Sequence, residues 1–495
     1  MAVKHYLIFD FGASNGRAIV AGFDGKRVTM DVTYRFDNRA VIAAGTLYWD
    51  ILRLFSELKI GLQVSLRKYP DVISLGIDTW GCDFGFIDRN GRLLANPVTY
   101  REALRHERIP LLYKELPRRE LFQLCAGSTM GIMGLYQLFS FRCDNATEIT
   151  NGHRLLMIPD LLNYLLTGRP VNEYTNATMS LLCNQETRSW EKRILARMGI
   201  ADTMLGEIVM PGDLIGPIQP QVCEELMISP IPVVAPATHD TASAVTGIPV
   251  ADPSKHWAFI SMGTWSIAGI ETPKPIVTDA SFESGYGNNA IADGRNMMVN
   301  YITGLWIIQQ CRQSWIAGGA GEISWDQIVE ESEKAGSATA FIDVDDPGFT
   351  LPQADMPGVI IAYCEKKGQK LARSRGAVAR AVYETLVLKY RQNMETLERL
   401  TGRKLNLLHL VGGGIQNRTL CQWTADATGI PVMAGPTETT SMGNLLMQLK
   451  HDGEITTLEQ GREISLRSSE VVRYEPRAKG PWDAAFGKYL AVAGR

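Results

Sequence analysis

An apolar run, "VVAPAT" (233–238), leads into His239, Asp240 and Thr241, and the small residues Ala242, Ser243 and Ala244 follow. A histidine beside an acid serves several chemistries. A metal pair would need a partner for His239 at ligand spacing, and there is none. A serine-hydrolase reading would need a Gly-x-Ser-x-Gly elbow, which is also missing. A carboxylate at the C-terminal end of a strand can instead take a proton from a substrate hydroxyl. The competing reading is that Asp240 caps a helix starting at Thr241. This stretch alone leaves both open.

Three glycine-rich turns follow strands, at 10–17 ("DFGASNGR"), 262–266 ("MGTWS") and 412–417 ("GGGIQN"). Successive backbone N–H groups in a tight turn make a concavity of anion size. Hydroxyls on Ser14, Thr264 and Ser266 add donors, and Arg17 adds charge. An acid such as Asp10 is repelled by phosphate unless a cation lies between them, and magnesium is commonly shared between carboxylates and substrate phosphates. Alternatively, Asp10 accepts N–H groups of its own turn. The spacing is not the Gly-x-Gly-x-x-Gly of a dinucleotide site, and the Gly-Lys-Ser/Thr of a P-loop is absent.

The elements that must position these residues follow from the patterning. After the first turn "AIVAGF" (18–23) and "KRVTMDVTYRF" (26–36) read as strands around the tight turn Asp24-Gly25, so a meander rather than a helix follows. "VISLGIDTWGCDFGFIDRNGRLL" (72–94) reads as a second hairpin. The region 103–225 reads as mainly helical, with Pro159 opening and Gly168 closing one helix. "IPVADPSKH" (248–256) reads as a linker. Beyond it "HWAFISMGTWSIAGIE" (256–271) repeats the strand–turn–strand of "HYLIFDFGASNGRAIV" (5–20), and 251 residues separate Gly12 from Gly263, about half the chain. A long helix over 375–404 carries Val382, Leu386, Tyr390, Met394 and Leu397 on one face, a core stripe, and Gly402 stops it. "LNLLHLVGGGIQNR" (405–418) is a buried strand running into glycines, "GIPVMAG" (429–435) is another strand, and the C-terminal residues 481–493 read as a helix packed on the second half. Helix and strand alternate as in an α/β domain.

Composition narrows the class. The 495 residues are 45% hydrophobic and 21% charged, which suits a globular chain of two or more domains. A net charge of −3 offers no basic excess for nucleic acid or an anionic membrane. The eight cysteines are scattered with no CxxC pair, so they read as small buried hydrophobes rather than disulfides or zinc ligands. An acid at position 10 leaves no room for a signal-peptide core, and no stretch approaches the roughly 20 apolar residues of a membrane span. The expectation is a cytoplasmic protein, monomeric or homodimeric.

The set "DFGASNGR", "GIDTWGCDF" (76–84), "MIPDLLNYLLTG" (157–168), "NEYTNAT" (172–178), "THDTASAV" (238–245), "SMGTWS" (261–266) and "VGGGIQN" (411–417) resembles the FGGY carbohydrate kinases, in order over nearly the whole chain, and within them the rhamnulokinase branch. The resemblance implies an α/β fold of two duplicated actin-like, ribonuclease-H-like domains facing across an active-site cleft. The N-terminal, sugar-binding domain would be 1–248 and the C-terminal, nucleotide-binding domain 249–495. It implies ATP with Mg²⁺ as phosphoryl donor and a ketose, L-rhamnulose first, as acceptor at its 1-hydroxyl. L-Fuculose or a related ketose is the alternative, and a non-catalytic sugar or nucleotide sensor is a more distant one. Carried over by position, Asp240 is the catalytic base. Ala13, Ser14, Asn15, Gly16 and Arg17 form the first phosphate turn, and Thr264 belongs to the second. Gly414 and Asn417 lie on the adenosine side, and Gln309 contacts nucleotide. Gly81, His239, Asp240 and Thr241 contact sugar, with Trp80 and Asp83 added from the same motif. Asp10 takes the metal. The chain departs from the branch at Met262, at 283–290, and at Tyr301, which falls where an asparagine touches the sugar. A lost polar partner can leave substrate hydroxyls unpaired and so discriminate between sugars.

Overall fold

The computed structural model describes residues 2–494 apart from 251, 253, 478 and 479. The chain forms two compact units. The first comprises 1–251, 271–298 and 438–469, and the second 252–270, 299–437 and 470–495. Part of the expected linker falls on 251 and 253, outside the described residues.

The first unit is built on strands β1 (Lys4–Phe11), β2 (Asn15–Phe23) and β3 (Val28–Asp37), helix α1 (Ile51–Lys68), and strands β4 (Val72–Thr79), β5 (Leu214–Pro217) and β6 (Pro232–Val234). The sheet order is β5-β6-β4-β1-β2-β3, with β1 antiparallel to β2 and parallel to β4. β1 reads as a nearly unbroken apolar run because both faces of the sheet are covered. Its residues alternate between two cores. Leu7, Phe9 and Phe11 pack with Leu54, Leu58 and Leu62 of α1. Tyr6 and Ile8 pack with Leu445, Leu446 and Leu449 of the helix Thr439–His451 on the other face. Each such side chain is worth roughly 1.5–3 kcal/mol of burial. Asp50 caps α1 by accepting the Arg53 N–H, and Arg67 and Lys68 lie in its last turn, where the helix dipole favours cations.

Helix α2 (Asp240–Thr246) crosses the helix Thr439–His451 with almost no space between backbones. A Cβ on Gly443 would lie 1.9 Å from the Ser243 carbonyl oxygen, and one on Gly247 would lie 2.2 Å from that of Thr439. The small residues after Asp240 are what this crossing requires.

Within 72–94 the two expected strands do not pair with each other, although the chain does turn tightly at Asn90-Gly91, where the Leu94 N–H donates to the Phe86 carbonyl at 3.0 Å. β4 enters the main sheet, whereas Phe84–Ile87 leaves it and pairs antiparallel with Arg154–Met157. The turn between them redirects the chain: Cys82 adopts φ 79, a left-handed conformation rare outside glycine, and the Trp80 indole N–H donates to Asp83 Oδ2 at 3.0 Å.

The second unit is built mainly on strands β7 (Trp257–Met262), β8 (Trp265–Thr272) and β9 (Asn296–Thr303), helices α3 (Trp306–Trp315) and α4 (Arg375–Thr401), strand β10 (Leu407–Val411), helix α5 (Arg418–Thr428), and strands β11 (Val432–Ala434) and β12 (Val472–Tyr474), residues 271–272 of β8 and 296–298 of β9 being counted with the first. Their order is β9-β8-β7-β10-β11-β12. β7 is antiparallel to β8 around a tight turn closed at Met262–Ser266 and parallel to β10. In the first unit β1 turns into β2 at Phe11–Gly16 and runs parallel to β4. The repeat seen in the sequence is therefore a repeat of sheet topology. The stripe on α4 is buried as its spacing predicts, and Gly402 ends the helix at φ 65. The C-terminal helix Gly480–Val492 lies on α4, with Arg391 ion-paired to Asp483 at 2.7 Å and stacked 4.3 Å from the Phe486 ring. All eight cysteines are free and seven are buried, Cys143 being exposed. Among the described residues no helix is long and apolar enough to cross a membrane.

Candidate active site

At the ends of β1 and β4 in the first unit, Asp10 and Asp78 are neighbours in register. The backbone carries the turn that follows: the Gly12 N–H donates to the Asn15 carbonyl at 2.8 Å, and Asn38 Nδ2 donates to the Gly12 carbonyl at 2.8 Å. A Cβ on Gly16 would fall 2.1 Å from the Phe36 ring, so any other residue there must displace that ring. Ser14 and Asn15 stand exposed at the tip. The carboxylate of Asp10 is engaged by the Arg17 side chain. Arg17 Nη1 also donates to Glu438 Oε1 at 2.9 Å, so one guanidinium bridges two acids. Burial raises the Asp10 pKa and the Arg17 charge pulls it back, leaving it above the ordinary carboxylate value. Asp78 is fully buried. Burial and then the Asp10 charge push it well above the carboxylate range. Asn444 Nδ2 donates to its Oδ2 at 2.6 Å, while Oδ1 is buried without a hydrogen-bond partner. Two adjacent acids, one with an unmatched oxygen, are a donor set suited to a hard, oxygen-seeking divalent cation.

Asp240 is reached through the segment after β6. The helix starts at Asp240 itself, one residue earlier than the cap reading expects, and His239 occupies the cap position without a side-chain cap bond. Oδ1 of Asp240 accepts the Thr241 N–H at 2.5 Å and the Thr241 hydroxyl at 3.2 Å. Burial raises the Asp240 pKa to about 6, and these two bonds hold it back. The side chain nevertheless keeps 34% of its surface exposed. It is thus a carboxylate that binds protons more readily than usual and can be reached by a solute. His239 is 3% exposed, and burial lowers its pKa to about 3, so it is neutral. Its Nε2 lies 3.5 Å from Asp240 Oδ1, and its buried Nδ1 has no hydrogen-bond partner. Gly81 abuts the same ring: a Cβ there would lie 3.1 Å from His239 Cδ2 and 3.0 Å from Met179 Cγ. The structure therefore brings Gly81, His239, Asp240 and Thr241 together and adds Met179.

Trp80 and Asp83 sit deeper. Asp83 is 1% exposed; its Oδ2 accepts the indole N–H groups of Trp49 at 2.7 Å and Trp80 at 3.0 Å, and Arg105 lies 3.7 Å from Oδ1. The Trp49 and Trp80 rings are 4.4 Å apart. Asp83 thus fixes two indoles and a buried guanidinium.

In the second unit the turn at 262–266 and the glycines after β10 lie together. A Cβ on Gly414 would meet Met262 Cβ at 2.7 Å and Leu305 Cδ1 at 2.9 Å, and Gly412 adopts φ 85 beside the Met262 carbonyl. The N–H groups of Leu305 and Trp306 donate to the Gly263 and Thr264 carbonyls, both at 3.0 Å. The exposed Thr264 hydroxyl donates to Gln309 Oε1 at 3.3 Å. Thr264, Gln309 and Gly414 therefore share one surface. Asn417 caps α5, accepting the Leu420 N–H at 3.0 Å. Tyr301 lies half-buried on β9.

Two family models account for most of the chain: the FGGY family of carbohydrate kinases, N-terminal domain, matches residues 5–247, and the C-terminal domain matches 258–451. The chain belongs to the FGGY family of carbohydrate kinases. Within that family it is 34% identical over 483 residues to a rhamnulokinase of Bacteroides thetaiotaomicron, covering 98% of both chains. It is also 34% identical to a rhamnulokinase of Enterococcus faecalis, covering 93% of this chain and 92% of that one. Solved structures of the same fold include a gluconate kinase from Lactobacillus acidophilus, with a TM-score of 0.80 at 14% identity, covering 100% of this chain and 97% of that one. A Plasmodium falciparum glycerol kinase with ADP gives 0.79 at 15% identity, covering 100% and 98%. This FGGY kinase is thus an ATP-dependent sugar kinase with the two-domain, actin-like fold of its relatives.

Sequence reasoning missed Asp78 and Glu438. The signal for Asp78 was available: "GIDT" ends a strand in an acid as "IFDF" does. Glu438 stands alone among small residues in "GPTETTSMG", and nothing local ties it to Arg17, 421 residues away.

Proposed function

We propose that this kinase transfers the γ-phosphoryl group of ATP to the 1-hydroxyl of L-rhamnulose, with Asp240 as the base. The observation that carries the base assignment is the Asp240 carboxylate at the first turn of α2. It is accessible, has a pKa raised to about 6, and stands beside a neutral His239. Near full-length similarity to rhamnulokinases supports the sugar. The hydroxyl proton passes to an Asp240 oxygen as the sugar O1 forms its bond to Pγ. The bond from Pγ to the β,γ-bridging oxygen breaks, and ADP leaves. Such transfer rests on positioning and electrostatics more than on covalent chemistry.

His239, Gly81 and Thr241 would orient the ketose, with Trp80 and Asp83 shaping the wall behind it. The 10–17 turn, Thr264, Gln309, Gly414 and Asn417 would hold the nucleotide. In this reading the N-terminal half, 1–248, is the sugar domain and 249–495 the nucleotide domain, working in the cytoplasm where ATP is supplied. Asp10, with Asp78 behind it, would hold Mg²⁺, which supplies charge neutralisation for the phosphates. A second ketose such as L-fuculose remains the alternative substrate because Tyr301 stands where the rhamnulokinase pattern has asparagine. Asp240→Asn tests the base: the variant should bind ATP and ketose as before and lose turnover by about 10²–10⁴-fold, the usual worth of a positioned base. Turnover within tenfold of the parent would remove Asp240 from that role.

A further inference from the structure

The motif "NEYTNAT" has no part in the chemistry described so far, yet its glutamate is among the most heavily bonded side chains in the first unit. Glu173 is fully buried, at the N-cap of the short helix Tyr174–Met179. Its Oε1 accepts the Thr175 N–H at 2.9 Å. Its Oε2 accepts the Thr175 hydroxyl at 2.6 Å and the Asn176 N–H at 3.3 Å. The same oxygen takes the Thr238 N–H at 3.0 Å and the Thr238 hydroxyl at 2.6 Å. A cap needs only the first of these donors and the Asn176 N–H. The two bonds to Thr238 reach 65 residues along the chain, to the residue two before Asp240.

Further bonds extend the grip in the same direction. The His239 N–H donates to the Thr175 hydroxyl at 3.2 Å. The Thr238 carbonyl accepts the Thr79 N–H from the end of β4 at 2.8 Å. The segment Thr238–His239 is therefore held from one side by β4 and from the other by Glu173 and Thr175. The same short helix ends in Met179, which packs against Gly81 next to the His239 ring.

We infer that Glu173 is a positioning residue for phosphoryl transfer, acting through Thr238 and Thr175 to fix the backbone that presents His239 and Asp240. The inference rests on the reading of Asp240 as the base. A carboxylate suits this task because five donors converge on two oxygens, and charge-assisted bonds of this kind are stronger than neutral ones. An amide cannot replace it. In Glu173→Gln, whichever way the new amide turned, its NH₂ would face donors, and small displacements of a catalytic group cost rate steeply.

The test uses full-length protein in four variants: Glu173→Gln, Thr238→Val, Thr238→Ser and Asp240→Asn. For each, kcat, the KM for ATP, the ketose Kd by calorimetry and the Tm are measured. Positioning predicts that Glu173→Gln and Thr238→Val lose at least tenfold in kcat at 20 °C, with the KM for ATP within twofold of the parent. Thr238→Ser, which keeps both donors, should recover to within twofold of the parent kcat. A purely structural role predicts a lower Tm with an unchanged kcat in the folded enzyme, and that result overturns the inference. If Glu173→Gln does not fold, the Thr238 pair decides: equal kcat in Thr238→Val and Thr238→Ser is refutation. Full activity in Asp240→Asn would instead overturn the base assignment, whatever the other three show.

Discussion

Replacing Asp240 by asparagine should stabilise the protein while it silences it, because a carboxylate placed for proton transfer is held where its charge is unwelcome. Raising its pKa from 3.8 to about 6 corresponds to roughly 3 kcal/mol against the ionised form. The side chain keeps 34% of its surface exposed, and solvent screening reduces the figure to about 1–2 kcal/mol. The sign follows from linkage. The folded-state pKa lies above the unfolded one, so the folded state binds the proton more tightly. Below pH 4 both states are protonated and the penalty vanishes. It grows as the pH rises from about 4 to about 6 and is complete above 6. Asparagine has no such penalty and can still accept the Thr241 N–H. Melting curves taken without nucleotide or divalent cation should therefore show Asp240→Asn above the parent by roughly 1–3 °C at pH 7.5, for a gain of about 1–1.5 °C per kcal/mol in a chain of this size. About half of that gain should remain at pH 5. A Tm at or below the parent's at pH 7.5, or a gain that does not change with pH, would refute the claim that burial strains this carboxylate.

The same pKa predicts that kcat falls on the acid side with a midpoint near pH 6, because the base must be ionised to accept a proton. A flat profile from pH 5 to 8 would contradict it. Gly81→Ala places a Cβ about 3 Å from both His239 and Met179 and should raise the ketose KM at least tenfold while leaving the KM for ATP unchanged; steady-state kinetics with each substrate varied will show whether the effect is confined to the sugar. Gly443→Ala drives a Cβ to 1.9 Å from the Ser243 carbonyl oxygen. Overpacking of this kind costs typically 1–3 kcal/mol, and since backbone rather than a movable side chain is struck, the variant should melt several degrees lower.

The sequence made the repeating hairpins, the stripe on α4 and the acids at Asp10 and Asp240 legible, because period, turn chemistry and glycine punctuation are local. What escaped it is tertiary. "GIDTWGCDFGF" looks like a hairpin, but Cys82 at φ 79 and the Asp83–indole bonds send the second strand to a different partner. Arg17 reads as a phosphate donor from its turn, yet its guanidinium lies against Asp10 and Glu438, and the second acid comes from the far end of the chain. Asp83, read from its motif as lining the sugar pocket, is taken up by Trp49 and Trp80. Glu173 was visible only as part of a motif; its task emerges from the two bonds to Thr238.

The most direct test of the whole account is to supply ATP and Mg²⁺ with a panel of ketoses, follow ADP release, and locate the phosphate on the product by phosphorus–carbon coupling in NMR. The account predicts the highest kcat/KM with L-rhamnulose and a single product phosphorylated at O1. A higher kcat/KM with L-fuculose or another ketose would contradict the substrate assignment, and no sugar-dependent ADP release from folded protein would contradict the kinase reaction itself.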